Sequence, residues 1–323
     1  MAQTLKIAQT LKIALSQIAP VWMDKQASLD KISRQVDRAA LEGAQLIVFG
    51  EGGVPGYPFW VEATGGAKFD DPQQKEIYAF YQSQAVCLHE GDLNALCAQL
   101  KTHEMAAYIG IIERAADRGG HSLYCSLVYI DPHGNIASVH RKLMPTYEER
   151  LVWAVGDGHG LRTHKLGPFT VGGLNCWENW MPLTRAALYG QGENLHIACW
   201  PGSLRNTEDI TPFLAKEGRS FVVSVSSLMR RSDVPMHMPY AKAIRDALPE
   251  MVANGGSCIA APDGSWVLEP QTDAESLRFA LIDYEHVCRE RQMFDPVGHY
   301  SRPDVLSLNL DQTRQSCLHI KRE

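Results

Sequence analysis

Cys176 lies in Gly-Gly-Leu-Asn-Cys-Trp-Glu-Asn, residues 172–179, directly after the apolar run Phe169–Leu174. A thiol on a tight turn at the end of a strand is held rigidly and stays open to a substrate, which is the setting of a nucleophile. Two other positions complete a chemical set. Glu51 follows a short strand-like run in Ile47-Val-Phe-Gly-Glu-Gly-Gly-Val-Pro-Gly-Tyr-Pro58, and Lys142 ends another in His140-Arg-Lys-Leu-Met-Pro-Thr-Tyr-Glu-Glu-Arg150. Thiol, carboxylate and ammonium supply a nucleophile, a base and a stabiliser of negative charge. A free cysteine titrates at roughly 8.5, so near neutrality a base must take its proton, and a cation nearby favours the anion. Taken singly, each residue has a plainer reading: Glu51 as a solvated loop carboxylate, Lys142 as a surface charge, Cys176 as a packing thiol.

Together and in this order, the three segments resemble the nitrilase, or carbon–nitrogen hydrolase, superfamily over about residues 11–308. Cys176-Trp177-Glu178, Lys142-Leu-x-Pro-Thr-Tyr-x-Glu149-Arg150 and Val297-Gly-His-Tyr-Ser-Arg-Pro303 resemble the true nitrilases more than the amidase branches. One departure is Gly50, where the family usually has Pro before the Glu; a glycine there loosens the backbone beside the base. The resemblance implies a four-layer α-β-β-α sandwich and catalytic roles for Glu51, Lys142 and Cys176. It also implies Glu149 as a second active-site carboxylate that orients Lys142 or a water and raises the pKa of Glu51 by like-charge repulsion. The competing reading of Glu149 is a salt bridge to Arg150 or another base. Family members associate into dimers or larger spirals, so a homo-oligomer is expected.

The implied reaction is hydrolysis of R–C≡N to R–COOH and ammonia through a thioimidate and a thioester on Cys176. Lys142 and the backbone N–H after Cys176 would stabilise developing negative charge. No step needs a metal, nucleotide or redox cofactor. The same set of residues hydrolyses amides, so an amidase or carbamoylase is the nearest rival. A cyanide- or nitrile-hydrating variant differs only in how the tetrahedral species breaks down, and a non-catalytic binding protein on this fold is the alternative from another class. Trp177, Tyr57, His196 and Trp200 are candidates for the substrate pocket, since aromatic walls suit apolar nitriles; for His196 and Trp200 core packing competes. Glu178 reads as an ion-pair or hydrogen-bond partner, and His237 has no second metal ligand at useful spacing.

The bulk properties fit an enzyme of small molecules. The net charge of −6 over 323 residues gives no electrostatic case for nucleic acid or acidic membranes. No apolar run approaches the roughly 20 residues of a bilayer span. The start of the chain lacks an apolar signal core, so a cytoplasmic location is expected. The eight cysteines form no Cys-x-x-Cys pair and read as reduced thiols, with Cys125, Cys199 and Cys258 buried in apolar runs. Ala2-Gln-Thr-Leu-Lys-Ile7 is copied at once as Ala8-Gln-Thr-Leu-Lys-Ile13. The first copy is expected to be disordered, leaving a single hydrolase domain over 8–323 with a tail from about 304.

The elements that must position these residues are legible in outline. Leu11–Ile18 reads as a strand, followed by a helix with Leu29, Ile32, Val36 and Ala40 on one face, capped by Asp24 or Ser28. Gln45–Phe49 is a buried strand leading to Glu51. Residues 71–104 read as two helices, the second capped by Asp92. Strands follow at 106–112, 122–130 and 135–141, the last two joined by the turn Asp131-Pro-His-Gly134 and ending at Lys142. Strand 169–174 delivers Cys176. Then come a helix at 182–189, strand 195–200, helix 212–217 and strands at 221–225, 257–261, 265–268 and 277–282. Alternating strands and helices argue for a layered α/β fold.

Overall fold

The computed structural model describes residues 9–318. The chain runs β1 (Thr10–Gln17), α1 (Lys25–Leu41), β2 (Leu46–Phe49), α2 (Trp60–Ala63), α3 (Pro72–Ser83), α4 (Asn94–Thr102) and β3 (Ala106–Arg114). Next come β4 (Leu123–Ile130), β5 (Ile136–Arg141), β6 (His164–Leu166), β7 (Phe169–Asn175), α5 (Pro182–Tyr189) and β8 (Leu195–Trp200). The last part holds α6 (Ile210–Gly218), β9 (Phe221–Ser226), β10 (Leu228–Arg230), α7 (Ala241–Ala247), β11 (Met251–Ala260), β12 (Trp266–Thr272), β13 (Ser276–Asp283) and α8 (Tyr284–Arg291).

The strands form two sheets. One has the order β13-β1-β2-β3-β4-β5; the other has the order β10-β11-β9-β8-β7-β6, with β12 paired to β11. Side-chain alternation builds the layers. In β2, Leu46 and Val48 face the second sheet, while Ile47 and Phe49 face α1 and α4 through Ile32, Val36, Leu96 and Leu100. In β8, Ile197 and Cys199 face the first sheet, while Ala198 and Trp200 face Ile210 and Leu214 of α6. The result is the α-β-β-α sandwich that the resemblance implies. Among the described residues no helix is long and apolar enough to cross a membrane.

Local signals hold where they are strong. Asp24 caps α1, its side chain accepting the Ala27 N–H at 2.9 Å, and Asp131 accepts the His133 and Asn135 N–H groups in the turn before β5. Asp92 is not the cap of α4, whose N-cap is Leu93. Its carboxylate is drawn back to the Cys87 N–H and to Lys25 Nζ, each at 2.7 Å, and so ties this loop to the start of α1. The helices α7 and α8 have no counterpart in the sequence reading: α8 buries only Val287, so its apolar stripe is too thin to read. The first copy of the N-terminal duplication lies outside the described residues. Over its described residues, to 318, the tail has no helix or strand, and it returns to the loop after Lys142: Arg314 pairs with Asp157 at 2.9 Å and the Gln315 N–H reaches the same carboxylate at 3.0 Å.

Candidate active site

β2 and β5 run in the same direction in the first sheet, and β7 ends beside them in the second. Glu51, Lys142 and Cys176 follow the C-terminal ends of these three strands, where loops of α/β sheets gather their chemistry. Lys142 Nζ donates to Glu51 Oε1 at 2.8 Å and to Glu149 Oε2 at 2.7 Å, with all three side chains buried. An oxygen of Glu51, an oxygen of Glu149 and Cys176 Sγ lie within 4.8 Å of one another. That spacing would suit a cation. Lys142 already supplies one, bonded to both carboxylates.

Each side chain is fixed by its surroundings. The Glu51 N–H donates to the Trp200 carbonyl at 3.1 Å. Gly50, expected to loosen this segment, does the opposite: a Cβ there would lie 2.5 Å from Ser227 Oγ and 3.0 Å from the Trp200 carbonyl oxygen, so the backbone is wedged against the second sheet. Gly110 of β3 makes the matching accommodation, since a Cβ on it would lie 2.3 Å from the Gly50 carbonyl oxygen. Glu149 sits in a single turn, Tyr147–Leu151, and accepts the Tyr57 hydroxyl at 2.8 Å and the Thr146 N–H at 2.6 Å. Its partners are therefore Lys142, Tyr57 and Thr146. The Arg150 side chain goes instead to the Pro145 carbonyl.

Cys176 opens the 3₁₀ turn Cys176–Trp180 with φ +51°, in the left-handed region that costs a residue with a Cβ about 1–3 kcal/mol. Glu178 spans the two strand ends: it accepts the Leu143 N–H at 2.6 Å and the Asn175 N–H at 3.1 Å, and meets His140 Nε2 at 3.1 Å. Burial works against its ionisation, but His140 and the Leu143 N–H outweigh it and hold the carboxyl below its ordinary range. One buried carboxylate thus straps the residue after Lys142 to the residue before Cys176.

Burial dominates the electrostatics. It raises Glu51 to about 7; Lys142 pulls the other way and Glu149 adds to the rise. Burial also lifts the Cys176 thiol well above its ordinary value, with Glu51 adding and Lys142 opposing. For Lys142, burial favours the neutral form, but the surrounding acidic groups outweigh it and keep the ammonium charged. The resting site therefore holds a protonated thiol, a fixed cation and a carboxylate poised for proton transfer near neutrality.

A cavity of about 680 Å³ opens above these groups, lined by Cys176, Trp177, Glu149, Glu148, Tyr57 and Phe59, and by two segments that sequence reading missed, Pro201–Asn206 and Ala247–Ala253. Tyr57 and Trp177 lie on its wall. His196 and Trp200 do not. Trp200 is fully buried against α6, its indole N–H directed to Ser224 Oγ at 3.3 Å, and His196 is buried between Glu193 and Asn179. Both sit within β8, on the face turned away from the first sheet, where Trp200 packs on α6. The residues that reach the cavity come after the strand has ended. Arg205 is among them, and it has no carboxylate partner among the described residues. The position of this loop directly after a strand next to β7 is the signal that points to it.

A family model described as carbon-nitrogen hydrolase matches residues 12–291. The chain is 34% identical over 319 residues to an aliphatic nitrilase of Rhodococcus rhodochrous, covering 95% of this chain and 81% of that one. It is 36% identical over 308 residues to a bifunctional nitrilase/nitrile hydratase of Oryza sativa subsp. japonica, covering 93% and 84%. A carbon-nitrogen hydrolase from Helicobacter pylori G27 shares the fold, with a TM-score of 0.68 at 18% identity over 92% of this chain and 96% of that one. A match over nearly the whole chain, to a fold that sets Glu51, Lys142 and Cys176 side by side, identifies this protein as a member of the carbon–nitrogen hydrolase family.

Proposed function

We propose that the protein hydrolyses organic nitriles to carboxylic acids and ammonia, with Cys176 as nucleophile, Glu51 as general base and acid, Lys142 as the stabilising cation and Glu149 as the carboxylate that orients it. The observation that carries this reading is the buried Glu51–Lys142–Glu149 cluster, with a Cys176 thiol beside it on the cavity floor. The nitrilase names of its relatives support the choice of substrate.

Ionised Glu51 takes the thiol proton as sulfur attacks the nitrile carbon. The C≡N π bond opens and its nitrogen receives that proton, giving a thioimidate. Glu51 then activates a water that adds to the thioimidate carbon. The tetrahedral species expels ammonia after Glu51 protonates the nitrogen, leaving a thioester. A second water, activated in the same way, releases the acid and returns the thiol. Two waters are consumed per nitrile. Negative charge forms on nitrogen and then on oxygen close to the sulfur, within reach of Lys142 and of the Trp177 N–H that lies against the thiol. If the tetrahedral species expels the thiolate instead, an amide leaves, which is the second activity named for the Oryza relative.

The wider reading is of a homo-oligomer in a reducing, cytoplasmic compartment. Exposed Trp180 just before α5, Leu183 in its first turn and Phe213 on α6 support the first, and eight free cysteines support the second. The test of function is ammonia release from a panel of nitriles and their matching amides, with Cys176→Ala alongside. Turnover of nitriles that disappears in the variant upholds the proposal, and turnover of amides alone refutes it.

A further inference from the structure

Behind the nucleophile runs a buried chain of three side chains that the reaction scheme leaves unused. Asn179 Nδ2 donates to the Cys176 carbonyl at 2.8 Å and, more weakly, to the Leu174 carbonyl at 3.4 Å. Asn179 Oδ1 faces His196 Nε2 at 2.7 Å, and His196 Nδ1 faces Glu193 Oε1 at 2.9 Å. Asn179 and Glu193 have no exposed surface and His196 has 2%. None of the three lines the cavity.

The partners fix where the protons are. An amide that turns its NH2 toward two carbonyls presents its oxygen to the imidazole, so His196 Nε2 must carry a hydrogen and donate it. Nδ1 and Glu193 then share one further proton, as imidazolium and carboxylate or as imidazole and carboxylic acid. Both arrangements hold the same number of protons and are neutral overall, which suits a dry interior. The frame around the chain is rigid. Arg185 Nη1 holds the Asn179 carbonyl at 2.9 Å while pairing with Glu217, and Arg291 Nη2 holds the Glu193 carbonyl at 2.5 Å.

We propose that Glu193, His196 and Asn179 form a positioning relay that holds the Cys176 peptide in its left-handed turn, and so aims both the thiol and the following N–H at the reacting carbon. They are positioning residues, acting through Cys176 and touching no substrate. The inference rests on the reading of Cys176 as the nucleophile. Its direction is specific: His196 Nε2–H is donated to Asn179, and Asn179 presents donors toward the Cys176 carbonyl. A substitution that preserves the donor to Asn179 should preserve the aim, and one that reverses it should not.

The test compares Asn179→Asp, His196→Phe, Glu193→Gln and Glu193→Leu by steady-state kinetics on a nitrile that the wild type turns over, with melting curves alongside. Asn179→Asp and His196→Phe should lower kcat by about 100-fold with KM within about threefold, the signature of a misaimed nucleophile rather than a damaged pocket. Glu193→Gln should keep kcat within about fivefold, because the glutamine NH2 donates to Nδ1 while Nε2–H still faces Asn179; Glu193→Leu should fall with His196→Phe. In ¹⁵N-histidine-labelled wild type, His196 Nε2 should show the shift of a protonated nitrogen, a measurement that needs no variant to fold. An unprotonated Nε2, equal losses in Glu193→Gln and Glu193→Leu, or a rise in KM with kcat intact would each overturn the proposal. If the wild type turns over no nitrile, iodoacetamide labelling at the Cys176 peptide, followed by mass spectrometry, reads the same aim. The rate should then fall about tenfold in Asn179→Asp and recover in Glu193→Gln, and equal rates throughout would sink the relay.

Discussion

A base at about 7 gives the reaction an acid limit that can be computed before it is measured. If Glu51 must be ionised to take the Cys176 proton, the active fraction of free enzyme falls tenfold per pH unit below 7. At pH 5 about 1% of Glu51 is ionised, so kcat/KM should lie about 100-fold under its plateau at pH 8 and above. The cause is burial, assisted by Glu149, and the second part can be removed. Two charges 4.8 Å apart, the outer limit for these oxygens, interact by about 3.5 kcal/mol at an effective dielectric of about 20, or roughly 2.5 pKa units. Glu149→Gln should therefore move the acid limb of whatever activity remains to lower pH, by about two units. The assay is ammonia release at subsaturating nitrile from pH 5 to 9, for both proteins. A wild-type profile flat to pH 5, or an acid limb that stays in place or rises in Glu149→Gln, would refute the electrostatic account of Glu51.

Stability should show the same strain with the opposite sense. The folded pKa of Glu51 lies above its ordinary 4.5, so the carboxyl contributes most below pH 4.5 and that contribution is lost as pH rises through 7, to about 3 kcal/mol at pH 8. Glu51→Gln should thus be inactive yet more stable than wild type at pH 8, by up to about 3 kcal/mol, with the gap closing near pH 4.5; urea unfolding at the two pH values reads it. Glu178→Gln replaces a carboxylate that accepts two N–H groups with an amide that turns its own N–H toward one of them. It should cost about 2–4 kcal/mol and lower kcat more than it raises KM, checked by melting and kinetics. Gly110→Ala sets a methyl 2.3 Å from the Gly50 carbonyl oxygen, where backbone must yield. A loss of about 1–3 kcal/mol with kcat down about 100-fold is expected, and a neutral variant would show that the Glu51 turn is softer than its packing implies.

What the sequence disclosed was local, and what it hid was a matter of which side of a sheet a residue faces. Cys176, Glu51 and Lys142 are legible because each ends a strand-like run and carries its own flanking motif. Glu149 is legible because the Tyr-x-Glu-Arg spacing sets it apart from Glu148. For Trp200 and His196 the packing reading fits, for a physical reason: as members of β8 they alternate with Ile197 and Cys199, and that alternation turns Trp200 against α6 and His196 between Glu193 and Asn179. Pro201–Asn206 were missed because loop residues carry no periodicity, although they continue a strand beside β7. Gly50 and Gly110 need contacts between segments about sixty residues apart, or more, and no flank announces them. Asp92 shows the limit of cap rules, since a stronger pair of donors claimed its carboxylate.

Glu51 and Lys142 belong to one sheet and Cys176 to the other, so the reacting groups face each other across a seam. Neither half of the sandwich owns the chemistry. The chain up to Trp153 holds the base and the cation, and Cys176 comes to them from β7 across the apolar layer between the sheets. Cys176 therefore meets its base and cation only where the two sheets are packed together. The architecture works as a safety catch, in which the groups that would make the cysteine hazardous to other molecules meet it only once the fold around them is complete.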